Sequence, residues 1–339
     1  MIILDTSEES LRKAGAALAS GLLVALPTET VYGLGADAFN PLAVAKVFEA
    51  KARPSFDPLI VHIARMEDLS RVAASVPPLA QRLARELWPG PLTMILPKRP
   101  EVPDIVTSGL ETVAVRFPSH PVARRIIELS GTAVAAPSAN PFGYISPTKA
   151  EHVARTLGDK IDFLVDGGAC AVGVESTVID ATKEVPELLR PGGMPLERIQ
   201  KVVGRVALPA KGRAAGPIAQ ASPGQLDSHY APRSALLLFE QGGLCESGVL
   251  EGGALRGSSR AALVFDGARA GVLESSGRFE AVFALSDKGD MAEAAASLFA
   301  LLHNLDSLGF DCICAEKVPD DGLGRAINDR LFRASRKRA

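Results

Sequence analysis

Short apolar runs at 59–63, 92–98, 112–117, 133–138, 161–167, 176–181 and 186–192 predict strands. Between them, apolar residues spaced three and four apart predict helices over 42–51, 78–88, 121–130, 149–158 and 195–204. Asn40 and Pro41 form a helix start, Asn as the cap and Pro at the first helical position, and Pro54 stops that helix soon after Lys51. Near the start, Arg12 and Lys13 precede small and apolar residues and imitate a signal peptide. Acidic Asp5, Glu8 and Glu9 come first, so the stretch reads instead as an amphipathic helix capped at Gly21, followed by the strand-like run LLVALPTETVYGLG. That run is expected to end in a hydroxyl-rich turn at Thr28, Thr30, Gly33 and Gly35.

Alternating strands and helices predict a layered α/β domain over residues 1–206. Several connections are too short for helical crossovers, so the sheet should be mixed. From 207 to 233 the composition turns to Ala, Gly, Pro, Lys and Gln and periodicity is lost, which predicts a linker. Beyond it, strands at 235–240, 260–266, 280–286 and 310–318 and helices at 291–309 and 324–335 predict a smaller α/β domain over 234–339. The segment SPGQLDSHYAP inside the linker carries Tyr230 and reads as a piece that folds over something.

Composition narrows the chemistry. A chain of 339 residues with 47% apolar content can fill two cores. A formal net charge of −2 argues against a protein that holds nucleic acid by bulk positive field. Cys170, Cys245, Cys312 and Cys314 contain no C-x-x-C pair, so neither a zinc knuckle nor a disulfide framework is indicated. No run is long enough to span a membrane, and cytoplasm is the default compartment.

The sequence contains no phosphate-binding Walker loop, no G-x-S-x-G elbow and no H-E-x-x-H. What remains is chemistry run by positioning and charge neutralisation, as in phosphoryl and nucleotidyl transfer. Lys51 and Arg53 fit phosphate, or else cap the end of their helix. Arg116, within TVAVRF, needs either an anionic ligand or a buried ion-pair partner. Arg190 precedes Pro-Gly-Gly, where glycines allow close backbone approach or simply make a turn. Thr28, Thr30, Ser138 with Asn140, Ser146, and Ser176 with Thr177 offer hydroxyls and amides at strand ends, or cap turns. His62 inside LIVHI would ordinarily be a satisfied core histidine.

These segments resemble the YrdC-like threonylcarbamoyl-AMP synthase family in its long two-domain form. The matching pieces are PTETVYGLG, KARPSFDPLIVH, WPGPLTMIL, VAVRFPSHP, APSAN followed by SPT, ESTVID, LRPG, SPGQLDSHYAP and GLGRAINDRLFRAS, in order over nearly the whole chain. The resemblance implies a YrdC-like twisted mixed-sheet domain and a Rossmann-like C-terminal domain. It implies synthesis of L-threonylcarbamoyl-AMP from L-threonine, bicarbonate and ATP, with Mg2+, for threonylcarbamoyl modification of tRNAs that read codons starting with A. Downstream threonylcarbamoyl-transfer proteins are implied as partners, and direct tRNA contact is not required.

By the same resemblance, Thr30, His62, Arg116, the Ala136 backbone and Ser176 look like the threonine pocket. Arg53, Asp57, Thr112, Ser138, Asn140, Ser146, Arg190 and Tyr230 look like the ATP site, with Lys51 and Arg53 as the catalytic cations and Mg2+ held mainly by phosphates. Asp57 stands where the family often has Asn, so it either helps hold the metal or is offset by Arg53. QLDSHYAP lacks the basic residues that often precede the histidine. Two rivals are a hydrogenase-maturation carbamoyltransferase, which expects paired C-x-x-C motifs and a larger chain, and a non-catalytic RNA-binding protein, against which 5% aromatic content weighs.

Overall fold

The computed structural model describes residues 1–208, 229–245 and 258–336. Most of the expected linker, including SPGQLDS, lies outside the described residues, as do the last three residues of the basic tail. Two compact units are present. The first comprises Met1–Phe142, Ser146–Ala171 and Glu175–Gln225, and the second Gly143–Ile145, Val172–Val174 and Leu226–Ala339. Two three-residue stretches from the first half of the chain, Gly143–Ile145 and Val172–Val174, thus group with the second unit.

The first unit is built on a sheet of ten strands. In chain order they are β1 (Ile2–Leu4), β2 (Val24–Leu26), β3 (Gly33–Asp37), β4 (Ile60–His62), β5 (Leu92–Pro97), β6 (Thr112–Arg116), β7 (Val134–Ala135), β8 (Phe163–Val165), β9 (Thr177–Asp180) and β10 (Glu187–Arg190). Across the sheet the order is β1-β8-β2-β3-β7-β4-β6-β5-β9-β10. Parallel pairs such as β4 with β6 mix with antiparallel pairs such as β5 with β6, as the short connections required.

Helices Pro41–Lys51 and Pro78–Leu87 follow the sequence pattern closely. Asn40 caps the first by accepting from the N–H groups of Leu42 and Ala43, and left-handed Ala52 (φ 50°) ends it before Pro54 is reached. Their apolar faces, Val44 and Val47 with Leu83 and Ala84, join Val61, Met94 and Val115 of the sheet in one large core. The first helix, Glu8–Ala19, ends as expected near Gly21, whose φ of 75° turns the chain into β2.

One expectation is corrected here. Gly33 and Gly35 do not form a turn; they lie in β3, paired antiparallel to β2. A Cβ on Gly35 would stand 2.9 Å from the Leu26 side chain and 3.0 Å from that of Val134, so glycine is required by close packing rather than by chain reversal. The turn is made by the residues between the two strands, Pro27 to Tyr32, with the bend at Glu29, Thr30 and Val31.

The second unit holds β11 (Ala235–Phe239), β12 (Arg260–Asp266), β13 (Ala281–Ser286) and β14 (Cys312–Glu316) in an all-parallel sheet of order β11-β14-β12-β13. Cys312 and Cys314 are buried on β14, as the run of apolar neighbours indicated. Helix Gly267–Ser275 was not expected, because Gly267 and Gly271 break its pattern; Asp266, whose side chain accepts from Arg269 N–H, was the available signal. No helix among the described residues is long and apolar enough to cross a membrane.

His152, buried in helix Ala150–Leu157, accepts from the Thr148 N–H through Nδ1. Burial, reinforced by Arg155, lowers its pKa to about 4. The unfolded chain binds this proton below roughly 6.5 while the folded one does not, so the stabilising contribution, full above that pH, is lost as pH falls towards about 4. Urea unfolding at about pH 7.5 and about pH 4.5 should show a lower midpoint in acid, and His152→Gln should reduce the difference.

Candidate functional site

Strand register builds the first part of the site. His62 lies beside Arg116 in the parallel β4–β6 pair, and Arg116 lies beside Thr93 in the antiparallel β6–β5 pair. Because side chains alternate, these three share a face with Ile60, Ala114 and Ile95, two residues along each strand. On that face the apolar residues form only a small cluster with Val178 and Leu189, whereas the opposite face carries the large helix-covered core. A polar row therefore crosses the sheet on the side with little apolar packing.

The turn after β2 places a second set of groups against this row. Thr28 Oγ1 donates to the Val31 carbonyl at 2.6 Å, so its 2.8 Å contact with Thr30 Oγ1 must be donated by Thr30. Thr28 is thereby a turn residue, and Thr30 is left with lone pairs to offer. Glu29 brings its carboxylate to Arg116, with Oε1 2.7 Å from Nη2 and both side chains buried. The contact lies outside hydrogen-bond geometry: neither Glu29 oxygen, nor Arg116 Nε or Nη2, has a hydrogen-bond partner. Buried polar atoms left in that state call for a ligand or water. The ion-pair alternative for Arg116 is thus realised without saturating it.

His62 Nδ1 stands 3.2 Å from the Ile60 carbonyl, which fixes the proton on Nδ1 and the lone pair on Nε2. Burial, then the Arg116 charge, lower its pKa to about 3, so the ring is neutral at working pH. Ala136 uses its N–H on the Ile60 carbonyl at 2.9 Å, so a ligand would meet its carbonyl.

Ser176 connects this row to a cluster of cations. Its Oγ lies 2.8 Å from Thr93 Oγ1, and Arg190 donates from Nη2 to Ser176 Oγ at 3.2 Å and to its carbonyl at 2.9 Å. Pro191-Gly192-Gly193 makes this approach possible: a Cβ on Gly192 would sit 2.4 Å from the Glu175 carbonyl oxygen and from Thr177 N. Gly193 N–H also donates to the Glu175 carbonyl at 2.8 Å. Ser146 donates to Glu175 Oε1 at 2.5 Å. The Thr177 hydroxyl, by contrast, donates to the Met194 carbonyl and accepts from the Met194 N–H, and serves packing.

Asp57 is fully buried and feels Arg53, Lys51 and Arg190. Arg53 Nη2 lies 3.0 Å from Asp57 Oδ2, while its Nε and Nη2 donate to the Asp57 and Pro58 carbonyls at 3.0 and 2.8 Å. Burial nevertheless pushes the Asp57 carboxyl up, the three cations offsetting only part of this. Both carboxylate oxygens lack hydrogen-bond partners. Arg53 lies against Asp57 but offsets the effect of burial only in part.

Lys51 departs from a simple phosphate ligand. Its Nζ is buried and donates to the Ser138 and Asn140 carbonyls at 2.5 Å each, so it clamps the Ser-Ala-Asn loop from beneath. Burial, then Arg53, hold its pKa well below the ordinary lysine value. Ser138 is half-buried on that loop, and Asn140 is buried. Thr112 stands at the far end of β6 from Arg116, beside Pro97.

Tyr230 belongs to the second unit. Its backbone is left-handed (φ 63°), its ring lies 5.5 Å from that of Phe299, and the Arg330 guanidinium sits 5.3 Å over it. The sequence reading missed Glu29, Thr93 and Glu175. Glu29 was hidden between two threonines that drew attention as hydroxyls, and Thr93 was the one polar residue inside an apolar strand. No three His, Cys, Asp or Glu side chains stand together as a metal site among the described residues. A metal ion brought in by phosphates would find in this cluster the two buried Asp57 oxygens, which have no hydrogen-bond partner.

Comparison with known proteins agrees over both units. Residues 16–192 match the Sua5/YciO/YrdC family model, described as "Telomere recombination", and residues 194–336 match the threonylcarbamoyl-AMP synthase C-terminal domain. The threonylcarbamoyl-AMP synthase of Pyrococcus abyssi is 45% identical over 97% of this chain and 94% of its own length. That of Bacillus subtilis is 42% identical over 98% and 94%. The crystal structure of P. abyssi Sua5 with L-threonine superposes with a TM-score of 0.83 at 40% identity, covering 99% of this chain and 98% of that one.

Gly192→Ala should force the Glu175–Thr177 backbone away from Arg190. The expected cost is about 1–3 kcal/mol, as for other overpacked sites, read as a lower urea midpoint. Unchanged stability would mean that the two loops are not in this contact.

Proposed function

This chain belongs to the Sua5/YciO/YrdC family in its two-domain form, and we infer that it condenses L-threonine, bicarbonate and ATP into L-threonylcarbamoyl-AMP, releasing pyrophosphate. The product supplies threonylcarbamoyl modification of tRNAs that read codons starting with A, through a downstream transfer protein. The observation that carries this reading is the Ser176 link: one serine hydrogen-bonds both Thr93, in the Arg116 row, and Arg190, in the cation cluster. An amino acid and a triphosphate bound at these two places meet at their junction.

Threonine is taken by Thr30, His62, Arg116, the Ala136 carbonyl and Ser176. Arg116 receives the carboxylate. The Thr30 lone pairs and neutral His62 Nε2 are acceptors and suit the donating hydroxyl of the side chain. ATP is taken by Arg53, Asp57, Thr112, Ser138, Asn140, Ser146 and Arg190. The threonine amine attacks bicarbonate to give a carbamate, whose oxygen attacks the α-phosphorus in line as pyrophosphate leaves. No protein nucleophile takes part. Arg53 and Arg190 neutralise charge at the phosphates, and Lys51 holds the loop that presents Ser138 and Asn140. When bound, Mg2+ would screen the phosphate oxygens and stabilise departing pyrophosphate.

The test is pyrophosphate release from ATP and bicarbonate with L-threonine, L-serine and L-valine, the adenylate being identified by mass. Threonine should be preferred over serine by about 10- to 200-fold and over valine by roughly 10^4-fold, because valine leaves the hydroxyl partners unpaired. Release independent of the amino acid would refute the assignment. Arg53→Ala should lower turnover by roughly 10^2-fold or more, on the scale of losing one preorganised electrostatic donor.

A further inference from the structure

Attack on bicarbonate requires a neutral amine, yet threonine arrives as an ammonium, so the ammonium must lose a proton within the site. We propose that Glu29 is the catalytic base: it receives the ammonium as the substrate carboxylate takes over Arg116, and then accepts its proton. The inference rests on the reading of the Arg116 row as the threonine pocket.

Three observations carry it. The Glu29 side chain is 9% exposed, and neither oxygen has a hydrogen-bond partner, which leaves acceptors for N–H donors. The cation paired with it is Arg116, the one a substrate carboxylate would claim. Finally, the charges match. Glu29 and Arg116 form an internal pair of zero net charge, and a zwitterion can replace it with two intermolecular pairs without leaving a buried charge uncompensated.

The groups facing Glu29 leave it as the base. Arg116 on β6 is a cation. His62 on β4 and His120, before helix Pro121–Ser130, are both lowered by burial and stay neutral and weakly basic. Cys170, after β8, is pushed up to about 12 by burial and stays a thiol. Burial alone would raise the Glu29 carboxyl; Arg116, helped by the nearby backbone of Glu29 and Ser119, more than offsets this. Once the substrate carboxylate neutralises Arg116, that restraint weakens and Glu29 becomes a stronger base.

The steps balance. The ammonium passes one proton to the carboxylate, giving R–NH2 and Glu–COOH. The amine nitrogen then bonds to the bicarbonate carbon as hydroxide leaves and takes an N–H proton, giving R–NH–COO− and water. The carbamate oxygen bonds to the α-phosphorus as the bond to pyrophosphate breaks. The Glu29 proton returns to solvent after the products leave.

The experiment uses the full chain and Glu29→Gln. Calorimetric L-threonine affinity without ATP should stay within about tenfold of wild type, while threonine-dependent pyrophosphate release near pH 7 falls by roughly 10^2-fold or more. That loss should shrink as pH rises past the amine's own pKa, where threonine carries a neutral amine in solution. Turnover near wild type at pH 7, or a loss that is equal at every pH, would overturn the proposal. If Glu29→Gln does not fold, Glu29→Asp keeps the charge pair but withdraws the carboxylate by one methylene: reduced turnover at retained affinity supports the base, and unchanged turnover overturns it. Wild-type protein that releases no pyrophosphate with threonine would instead sink the functional reading itself.

Discussion

The register of β4, β6 and β5 is the constraint on which the site depends. It sets His62, Arg116 and Thr93 side by side on the face that carries little apolar packing. A one-residue slip in any of these pairs would turn its polar residue into the large core and an apolar one outwards. The helix-covered core on the other face, with Val61, Met94 and Val115 at the neighbouring positions, holds that register against slippage. Packing on one side of the sheet thus fixes chemistry on the other.

Around the row, charges are held in pairs that do not satisfy each other. Arg116 meets Glu29 at 2.7 Å and Arg53 meets Asp57 at 3.0 Å, yet all four carboxylate oxygens lack hydrogen bonds. Such groups cost stability when buried, and that cost is relieved when a zwitterion or a phosphate chain supplies the missing partners. Lys51 follows a different logic. Its two carbonyl acceptors are in the protein, so it shapes the ligand loop from beneath.

Much of this was legible one residue at a time. Asn40–Pro41 announced its helix, the short connections announced a mixed sheet, and Arg116 in an apolar strand announced a buried anion or a ligand. Glycine was the least legible residue. Gly35 read as a turn and proved to be a strand position with no room for a Cβ, while Gly192, for which a turn and a close approach were both open, proved to be a place of close approach. Both readings start from the same lack of a side chain, and only the neighbours decide between them. Glu29 was missed for a related reason: a glutamate in a turn is ordinarily solvated, and nothing local says that Arg116 lies across from it.

By itself the sequence determined the alternation of strands and helices, the unlike second domain and the residue types able to hold an amino acid and a triphosphate, because these follow from local periodicity and side-chain chemistry. Tertiary structure decided which of those residues meet. Ser176 joins Thr93 and Arg190 across separations of 83 and 14 residues, and Lys51 reaches the carbonyl of Asn140 across 89. Such contacts depend on strand order and backbone approach, which no local window contains. That is why Arg116 could be named from sequence while its partner Glu29 could not, whereas Asp57, four residues from Arg53, could.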